Sequence, residues 1–242
     1  MKQMITNPEC KTCDLRKNNL FSVLRGEQID RLDREKMTRE YQRGDVIFYE
    51  NTPAFAIYCI FTGWVKVYKV GSRAERQVVR LLGPGDVIGH RAVLANEPYS
   101  TTAEAIQTSL ICSLPKESLF KMLEESPQLS MRLMGRLARE LRVSEDQMVI
   151  LSHKSVRQRA AQLLLLLMRR SPEADDKYIE LKIPIRRNEM AQMIGTTPET
   201  LSRTLRYFGQ RGLLQSTRTE LRILDPEGLR QLAGMNADFE LP

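Results

Sequence analysis

The chain has 242 residues, which is enough for two modest domains with separate hydrophobic cores, and it contains no apolar run near the ~18 residues of a membrane span. Its formal net charge of +7 is accounted for by residues 154–222, which contain 14 Lys and Arg and 7 Asp and Glu. This excess favours the phosphate backbone of a nucleic acid as the partner, and an ordinary solvated basic face is the alternative. The four cysteines, with no secretory signal before them, exclude a disulfide framework and indicate the reducing cytoplasm.

The N-terminal half is expected to be mostly β-structure. Residues 1–19 are polar and irregular apart from the Cys10 and Cys13 pair, and residues 20–32 form a short helical segment. From residue 37 to 113, short β-branched or alternating runs separated by turn residues indicate strands. The candidate strands are 46–49, 56–61, 64–70, 77–82, 101–106 and 109–113. The sequence Gly44-Asp-Val-Ile47 returns as Gly85-Asp-Val-Ile88, which is typical of a two-layered roll that uses one corner twice, although two such short matches also arise by chance.

A long helix should follow the strands. Ser126 can cap it, Pro127 suits its first position, and the pattern continues to about Leu151. The spacing 3, 4, 3, 4, 3 is that of a coiled-coil seam, here called the dimer seam. Its residues are Met134, Leu137, Leu141, Ser144, Met148 and Leu151. Packing on the helix's own β-domain is the alternative, but a helix of roughly 25 residues, about 37 Å long, should outreach a small roll, so we expect a homodimer.

A second helical region begins after a hinge at residues 152–154. One amphipathic helix runs to Arg170, and the pieces 178–181 and 183–185 look like a small ribbon. Two helices separated by Gly195 then form a helix-turn-helix. A hairpin wing of residues 213–215 and 221–224 carries Arg218, which could touch phosphate, and a last short helix runs from Asp225-Pro226 to Ala233.

The second helix of this motif has the chemistry of a DNA-reading helix. Thr197 can cap it, with Pro198 at its first position, and Leu201, Leu205 and Phe208 give it a buried face. In a major groove, Arg203 could donate two hydrogen bonds to guanine, Glu199 could accept from cytosine, and Ser202 could meet thymine. The expected DNA contacts are Thr197, Glu199, Thr200, Ser202, Arg203, Arg206 and Arg218. The alternative is that Glu199 and Arg203 merely pair along the helix, for about 0.3–0.5 kcal/mol.

With this order of elements, the chain resembles the CRP/FNR family of bacterial transcription regulators. The resemblance covers about Cys10 to Ala233 and is strongest in Glu199-Thr-Leu-Ser-Arg203, which is similar to the E-x-x-S-R signature of the FNR branch. It implies an α+β chain with a cyclic-nucleotide-binding-type β-roll in residues 1–125, a dimerisation helix in 126–152 and a winged helix-turn-helix in 153–242. It also implies inverted-repeat DNA sites with TTGAT-like half-sites and contact with RNA polymerase.

The resemblance places an effector site in the β-roll. Members that bind cyclic AMP carry a Gly-Glu pair and then an Arg-Ser pair, whereas here His90 follows Gly89 and no arginine precedes Ser100. The resemblance therefore argues against cyclic AMP and leaves another anionic ligand open. The candidate effector residues are Gly89, His90, Arg91, Ser100 and Thr101.

The oxygen-sensing FNR members hold an iron–sulfur cluster on three N-terminal cysteines and one in the β-roll. Cys10 and Cys13 match part of that pattern, and Cys112 falls where the β-roll ligand would, but the remaining N-terminal position is Asn19, and Asn is a poor cluster ligand. A single C-x-x-C is also compatible with a thiol switch, with a metal clip completed by other groups, or with no role at all. Cys59, within a strand, is interpreted as a small buried hydrophobe.

The sequence thus predicts a homodimeric, sequence-specific DNA-binding regulator that responds to a small molecule or a redox signal. No nucleophile–base pair, phosphate-binding loop or carboxylate dyad suggests an enzyme. The alternative from another functional class is a cytoplasmic ligand sensor that acts through protein partners without reading DNA.

Overall fold

The structure, a computed structural model, describes residues 8–72, 74–170, 178–181, 184–217 and 220–234. Contacts divide the chain into two compact units, one of Met1–Arg73 with Val79–Leu141 and one of Ala74–Val78 with Arg142–Pro242. The described helices and strands mix in both units, so the chain is α+β. None of the helices in these ranges has both the length and the hydropathy that crossing a bilayer requires.

The first unit is a β-roll of two four-stranded sheets, ordered β1-β8-β3-β6 and β2-β7-β4-β5. The strands are β1 (Met37–Tyr41), β2 (Val46–Phe48), β3 (Ala56–Thr62), β4 (Val65–Val70), β5 (Arg76–Leu82), β6 (Val87–Ile88), β7 (Thr102–Ala105) and β8 (Ser109–Pro115). All six candidate strands are confirmed with small shifts at their ends, whereas β1 and the short β6 were not among them.

Helices cover one face of the roll. They are α1 (Asp14–Asn18), α2 (Glu27–Glu35), α3 (His90–Ala95) and α4 (Lys116–Glu125), with a 3₁₀ turn at Leu20–Val23, and α5 (Pro127–His153) contributes to both units. Ile60 and Ile111 belong to the core between the sheets, while Ile57 and Leu114 belong to the core under the helices. Residues three apart on a strand point to opposite faces, so β3 and β8 each serve both cores.

The N-terminal expectation was wrong in one respect. Residues 14–18 form helix α1 rather than irregular chain. The side chain of Asp14 makes an ion pair with Lys17 one turn on, and Asn19 ends the helix by donating its backbone N–H to the Arg16 carbonyl oxygen. The helix is too short for hydrophobic periodicity to reveal it.

The two Gly-Asp-Val-Ile segments form corners of the roll with the same hydrogen-bond pattern. The backbone N–H of Gly44 donates to the Ala105 carbonyl oxygen, and that of Gly85 donates to the Ile60 carbonyl oxygen, both at 2.8 Å. In each copy the Asp carboxylate accepts a backbone N–H from three residues earlier, before the chain enters a strand. The predicted corner is therefore confirmed.

The second unit is a helical bundle with a small three-stranded sheet. Its further helices are α6 (Val156–Arg169), α7 (Arg187–Met193), α8 (Pro198–Gln210) and α9 (Pro226–Ala233). Its strands β9 (Ile179–Glu180), β10 (Leu214–Ser216) and β11 (Leu221–Ile223) are ordered β10-β11-β9. Residues 178–181 and 183–185 were expected to form a ribbon, but Ile179 and Glu180 pair with β11 instead. Ile183 lies outside the described residues.

Candidate nucleic-acid interface and sensor sites

The turn before α8 is built by local chemistry. Gly195 has φ +62°, a conformation that an L side chain rarely adopts, and this lets the chain reverse after α7. Thr197 then caps α8, since its hydroxyl oxygen accepts the Thr200 backbone N–H at 3.2 Å. Pro198 occupies the first helical position, where it has no hydrogen bond to lose. The sequence expectations for α8 are confirmed.

Helix α8 has one buried and one exposed face. Leu201, Leu205 and Phe208 are buried, as expected from their spacing. The exposed side chains include four of the expected DNA contacts, Glu199, Ser202, Arg203 and Arg206. Thr197 is also exposed, and Thr200 is half-buried.

Arg203 does not hold Glu199. Its guanidinium donates to the Thr200 hydroxyl at 3.2 Å, one turn back along the helix. Among the residues that the structure describes, Glu199 has no ion pair, so the alternative of a pair within the helix is not what the structure contains. Both charged groups face solvent on α8.

Arg159 of α6 supports the turn from behind. Its Nε donates to the Ile194 carbonyl oxygen at 2.8 Å, and one terminal nitrogen, Nη1, donates to the carbonyl oxygens of Lys154 at 2.9 Å and Leu151 at 3.3 Å. One guanidinium therefore joins the end of α5, the start of α6 and the end of α7. Nothing in the local sequence pattern distinguishes Arg159 from a surface arginine, so its role could not be predicted.

Further arginines surround α8. The guanidinium carbons of Arg157 and Arg211 lie 4.0 and 4.8 Å from the ring centre of Tyr207, within the range of cation–π contacts. Arg187, at the start of α7, donates to the Ser216 hydroxyl at 2.7 Å and so joins α7 to the wing strand β10. Burial lowers the pKa of Arg187. The predicted phosphate contact Arg218 lies outside the described residues.

The five candidate effector residues come together in the β-roll. Gly89, His90, Arg91, Ser100 and Thr101 line one cavity of about 30 Å³, which Phe48, Arg80 and Tyr99 also line. His90 is buried, with 2% of its surface exposed, and its Nδ1 atom has no hydrogen-bond partner among the described residues. Arg80 is a basic lining residue that the sequence analysis missed.

Glu140 of α5 connects this cavity to the long helix. Its Oε2 lies 3.2 Å from His90 Nε2 and 3.2 Å from an Arg80 guanidinium nitrogen, and its Oε1 lies 3.1 Å from Arg136 Nε. Burial acts to raise the pKa of Glu140, but the hydrogen bond and charge of His90 and the charges of Arg80 and Arg136 outweigh burial and hold the pKa at about 2. The carboxylate is thus ionised and holds two basic side chains of the cavity wall.

All four cysteines line a second cavity, here called the thiol cavity. Its volume is about 50 Å³, and Cys10, Cys13, Cys59 and Cys112 share its wall. Burial raises the pKa of Cys10 and Cys59 to about 12, and it also raises that of Cys112. The interpretation of Cys59 as only a small buried hydrophobe was incomplete, because its sulfur accepts a hydrogen bond from Asn19 Nδ2 at 3.5 Å.

The donor set of the thiol cavity suits a thiophilic metal, since thiolates are the preferred ligands of zinc and of iron–sulfur clusters. In the ranges that the structure describes, no three ligating side chains are already gathered closely enough to hold an ion. The four sulfurs therefore share a cavity wall but not yet a common coordination sphere.

Comparisons with known proteins match both units. Residues 38–126 match the model of the cyclic nucleotide-binding domain, and residues 158–232 match that of the Crp-like helix-turn-helix domain. Over 226 residues the chain is 31% identical to the transcriptional activator protein FnrA of Stutzerimonas stutzeri, covering 93% of this chain and 92% of that protein. It is 26% identical to the fumarate and nitrate reduction regulatory protein of Escherichia coli K12, covering 93% of this chain and 90% of that protein.

A solved structure agrees with these matches. FixK2 from Bradyrhizobium japonicum superposes with a TM-score of 0.75 at 29% identity, covering 84% of this chain and 99% of that one.

Proposed function

Since the chain belongs to the CRP/FNR family of DNA-binding transcription regulators, we propose that it binds DNA as a homodimer, on an inverted repeat with TTGAT-like half-sites. The observation that carries the proposal is the exposed face of α8, on which Glu199, Ser202 and Arg203 stand together. A guanidinium that donates twice to guanine and a carboxylate that accepts from cytosine specify G·C pairs in neighbouring half-site positions. Relatives named transcriptional activators do not favour the alternative of a sensor that never reads DNA.

The dimer seam supports the homodimer. Met134, Leu141, Met148 and Leu151 are 53%, 61%, 66% and 47% exposed in the single chain, so these large apolar side chains are available to a second copy. A dimer that places two α8 helices about 34 Å apart enters successive major grooves of one duplex face. Regulation would further require contact with RNA polymerase, which we include in the proposal.

The signal is proposed to reach α5 through the β-roll. Glu140 lies on α5 and holds His90 and Arg80 of the effector cavity, so an anion that enters this cavity would compete with Glu140 for both side chains. Loss of these contacts would change the packing along residues 126–151 and thereby the separation of the two α8 helices. Small rotations are sufficient, because groove spacing tolerates little error.

Fluorescence anisotropy on a labelled TTGAT-type palindrome and on a scrambled duplex tests the proposal. We expect the wild-type chain to prefer the palindrome, and Glu199→Ala and Arg203→Ala each to lose about 1–3 kcal/mol of that preference. Arg230→Ala is the matched control, because Arg230 is an exposed arginine of α9, outside α8 and the wing. Equal affinity for both duplexes in the wild-type chain would instead favour a sensor that works through protein partners.

A further inference from the structure

We propose that Arg157, Tyr207 and Arg211 form a phosphate-binding site, here called the arginine clamp, which holds the DNA backbone at the edge of the groove that α8 enters. The clamp has no base preference of its own, since phosphate contacts position a protein on DNA and carry no sequence information directly. The proposal rests on the proposed DNA-binding function, and it adds a backbone site outside the base-reading side chains Glu199 and Arg203.

One aromatic ring gathers two guanidinium groups from different parts of the chain. The guanidinium carbon of Arg157, in the first turn of α6, lies 4.0 Å from the ring centre of Tyr207. That of Arg211, which follows the last residue of α8, lies 4.8 Å from the same centre. Arg157 and Arg211 are far apart in the sequence, so only the packing of α6 on α8 brings them to one ring.

The two guanidinium groups have no carboxylate partner. Both side chains are exposed, and within the described residues neither makes an ion pair. Each guanidinium has five N–H donors, and contact with a ring face uses none of them. Like charges held at one ring also repel each other. An anion at this place would be attracted by both groups and would accept hydrogen bonds from both.

The stability of α6 does not explain the position of Arg157. This arginine is the second residue of the helix, and the first turn contains no acidic side chain. The dipole of a helix favours negative charge near its N-terminus, so a cation there is disfavoured. The charge of Arg157 is therefore better accounted for by a contact outside the helix.

The clamp continues the DNA-reading face of α8. Tyr207 follows Arg203 by four residues, and Arg211 follows Tyr207 by four, so each is a surface neighbour of the one before. At 1.5 Å per residue, Tyr207 and Arg211 lie about 6 and 12 Å beyond Arg203 along the helix axis. The major groove is about 12 Å wide, so phosphates at its edge are within this range when Arg203 reaches a base inside it.

Arginine has the geometry that a phosphate requires. A planar guanidinium can donate two parallel hydrogen bonds to phosphate oxygens. Because Tyr207 is half-buried and contacts both groups, it restricts the orientations of Arg157 and Arg211 before DNA arrives. Less side-chain entropy is then lost on binding. Tyr207 is thus a positioning residue, and the two arginines are the groups that touch phosphate.

The salt dependence of DNA binding tests the proposal, because each phosphate contact releases counterions. Anisotropy titrations at several salt concentrations use the TTGAT-type palindrome and the scrambled duplex. A substitution in a homodimer removes two contacts, so Arg157→Gln and Arg211→Gln should each reduce the slope of log affinity against log salt by about 1.8. Both should weaken the two duplexes by the same factor and so preserve the preference for the palindrome.

Matched variants separate charge from other effects. Arg157→Lys and Arg211→Lys keep the charge and should keep the wild-type slope, and the control Arg230→Gln, an exposed arginine of α9, should change neither slope nor affinity. Tyr207→Phe keeps the ring and should bind like the wild-type chain, whereas Tyr207→Leu should weaken both duplexes equally. Thermal melts show whether each variant folds.

Two results would overturn the proposal. One is an unchanged slope in Arg157→Gln and Arg211→Gln. The other is loss of the palindrome preference in these variants at an unchanged slope, which would place both arginines in base reading instead. Failure of the proposed function gives a different result, namely equal affinity of the wild-type chain for the two duplexes, and the slopes on the scrambled duplex would still test the clamp.

Discussion

The guanidinium of Arg159 donates to the Ile194 carbonyl oxygen at 2.8 Å, so a residue of α6 closes the end of α7 at the turn that precedes α8. The same group satisfies carbonyl oxygens at the end of α5 and before α6. A single side chain thereby ties the turn before α8 to the last turn of α5, although it is not expected to touch DNA.

Replacement of Arg159 by Met should therefore weaken DNA binding without removing a DNA contact. The change leaves several carbonyl oxygens without their donor, at a cost of about 1–3 kcal/mol in the free energy of unfolding. Denaturant titration and anisotropy on the palindrome measure the two effects. Arg230→Met should alter neither, and unchanged DNA affinity in Arg159→Met would show that the turn is held by other contacts.

Glu140 should give the β-roll an acid-dependent stability. Its pKa is about 2 in the folded chain against an ordinary 4.5, so the ionised carboxylate contributes stability above pH 4.5, and this contribution is lost as the pH falls from about 4.5 toward 2. A shift of this size corresponds to about 3 kcal/mol. We expect Glu140→Gln to lower the melting temperature at pH 7 and to flatten its dependence on pH in that window.

Glu145→Gln, an exposed carboxylate on the same helix, is the control for loss of one charge. If the melting temperatures of Glu140→Gln and the wild-type chain changed in parallel from pH 7 to pH 3, the ionised Glu140 and its contacts with His90 and Arg80 would contribute no stability in that window.

Thr197 should stabilise α8 through its cap. Thr197→Ala removes the acceptor for the Thr200 backbone N–H and should cost about 1 kcal/mol in the free energy of unfolding, measured by urea titration. Thr197→Ser keeps the hydroxyl and should stay close to the wild-type value. Equal losses in both variants would assign the effect to the methyl group instead of the cap.

A charged residue in the dimer seam should prevent dimerisation. Leu141→Glu places a carboxylate opposite its own copy in the proposed homodimer, so sedimentation velocity at micromolar concentration should show monomers. Val149→Glu changes an equally apolar residue of α5, 58% exposed and off the seam, and should remain dimeric. Dimers in both variants would place the interface elsewhere.

A structural feature can be predicted from the sequence when the residues that determine it are close together in the chain. The start of helix α8 could be predicted to the residue, because Gly195, Thr197 and Pro198 each act within a few positions of one another. The link from Arg80 to Glu140 could not, because the two residues are sixty positions apart and only the packing of α5 on the roll brings them together. Sequence spacing cannot show such a meeting.

The thiol cavity contains both a local sequence motif and a contact that only the fold creates. The pair Cys10 and Cys13 is visible as a local motif, whereas Cys59 joins it only through the β3–β8 register that sets Cys59 opposite Cys112. A lone cysteine in a strand has the same local pattern as any small apolar residue, so its neighbours across the sheet decide its role.

The most direct measurement of the central claim is a double-mutant cycle between Arg203 and the guanine of the TTGAT-type half-site. Anisotropy gives the affinities of the wild-type chain and Arg203→Ala for the original palindrome and for one in which that G·C pair is replaced symmetrically. If Arg203 reads this base, the wild-type chain loses about 1–3 kcal/mol on base replacement while Arg203→Ala loses almost nothing further. Equal losses for both proteins would contradict the claim that this face of α8 reads the sequence.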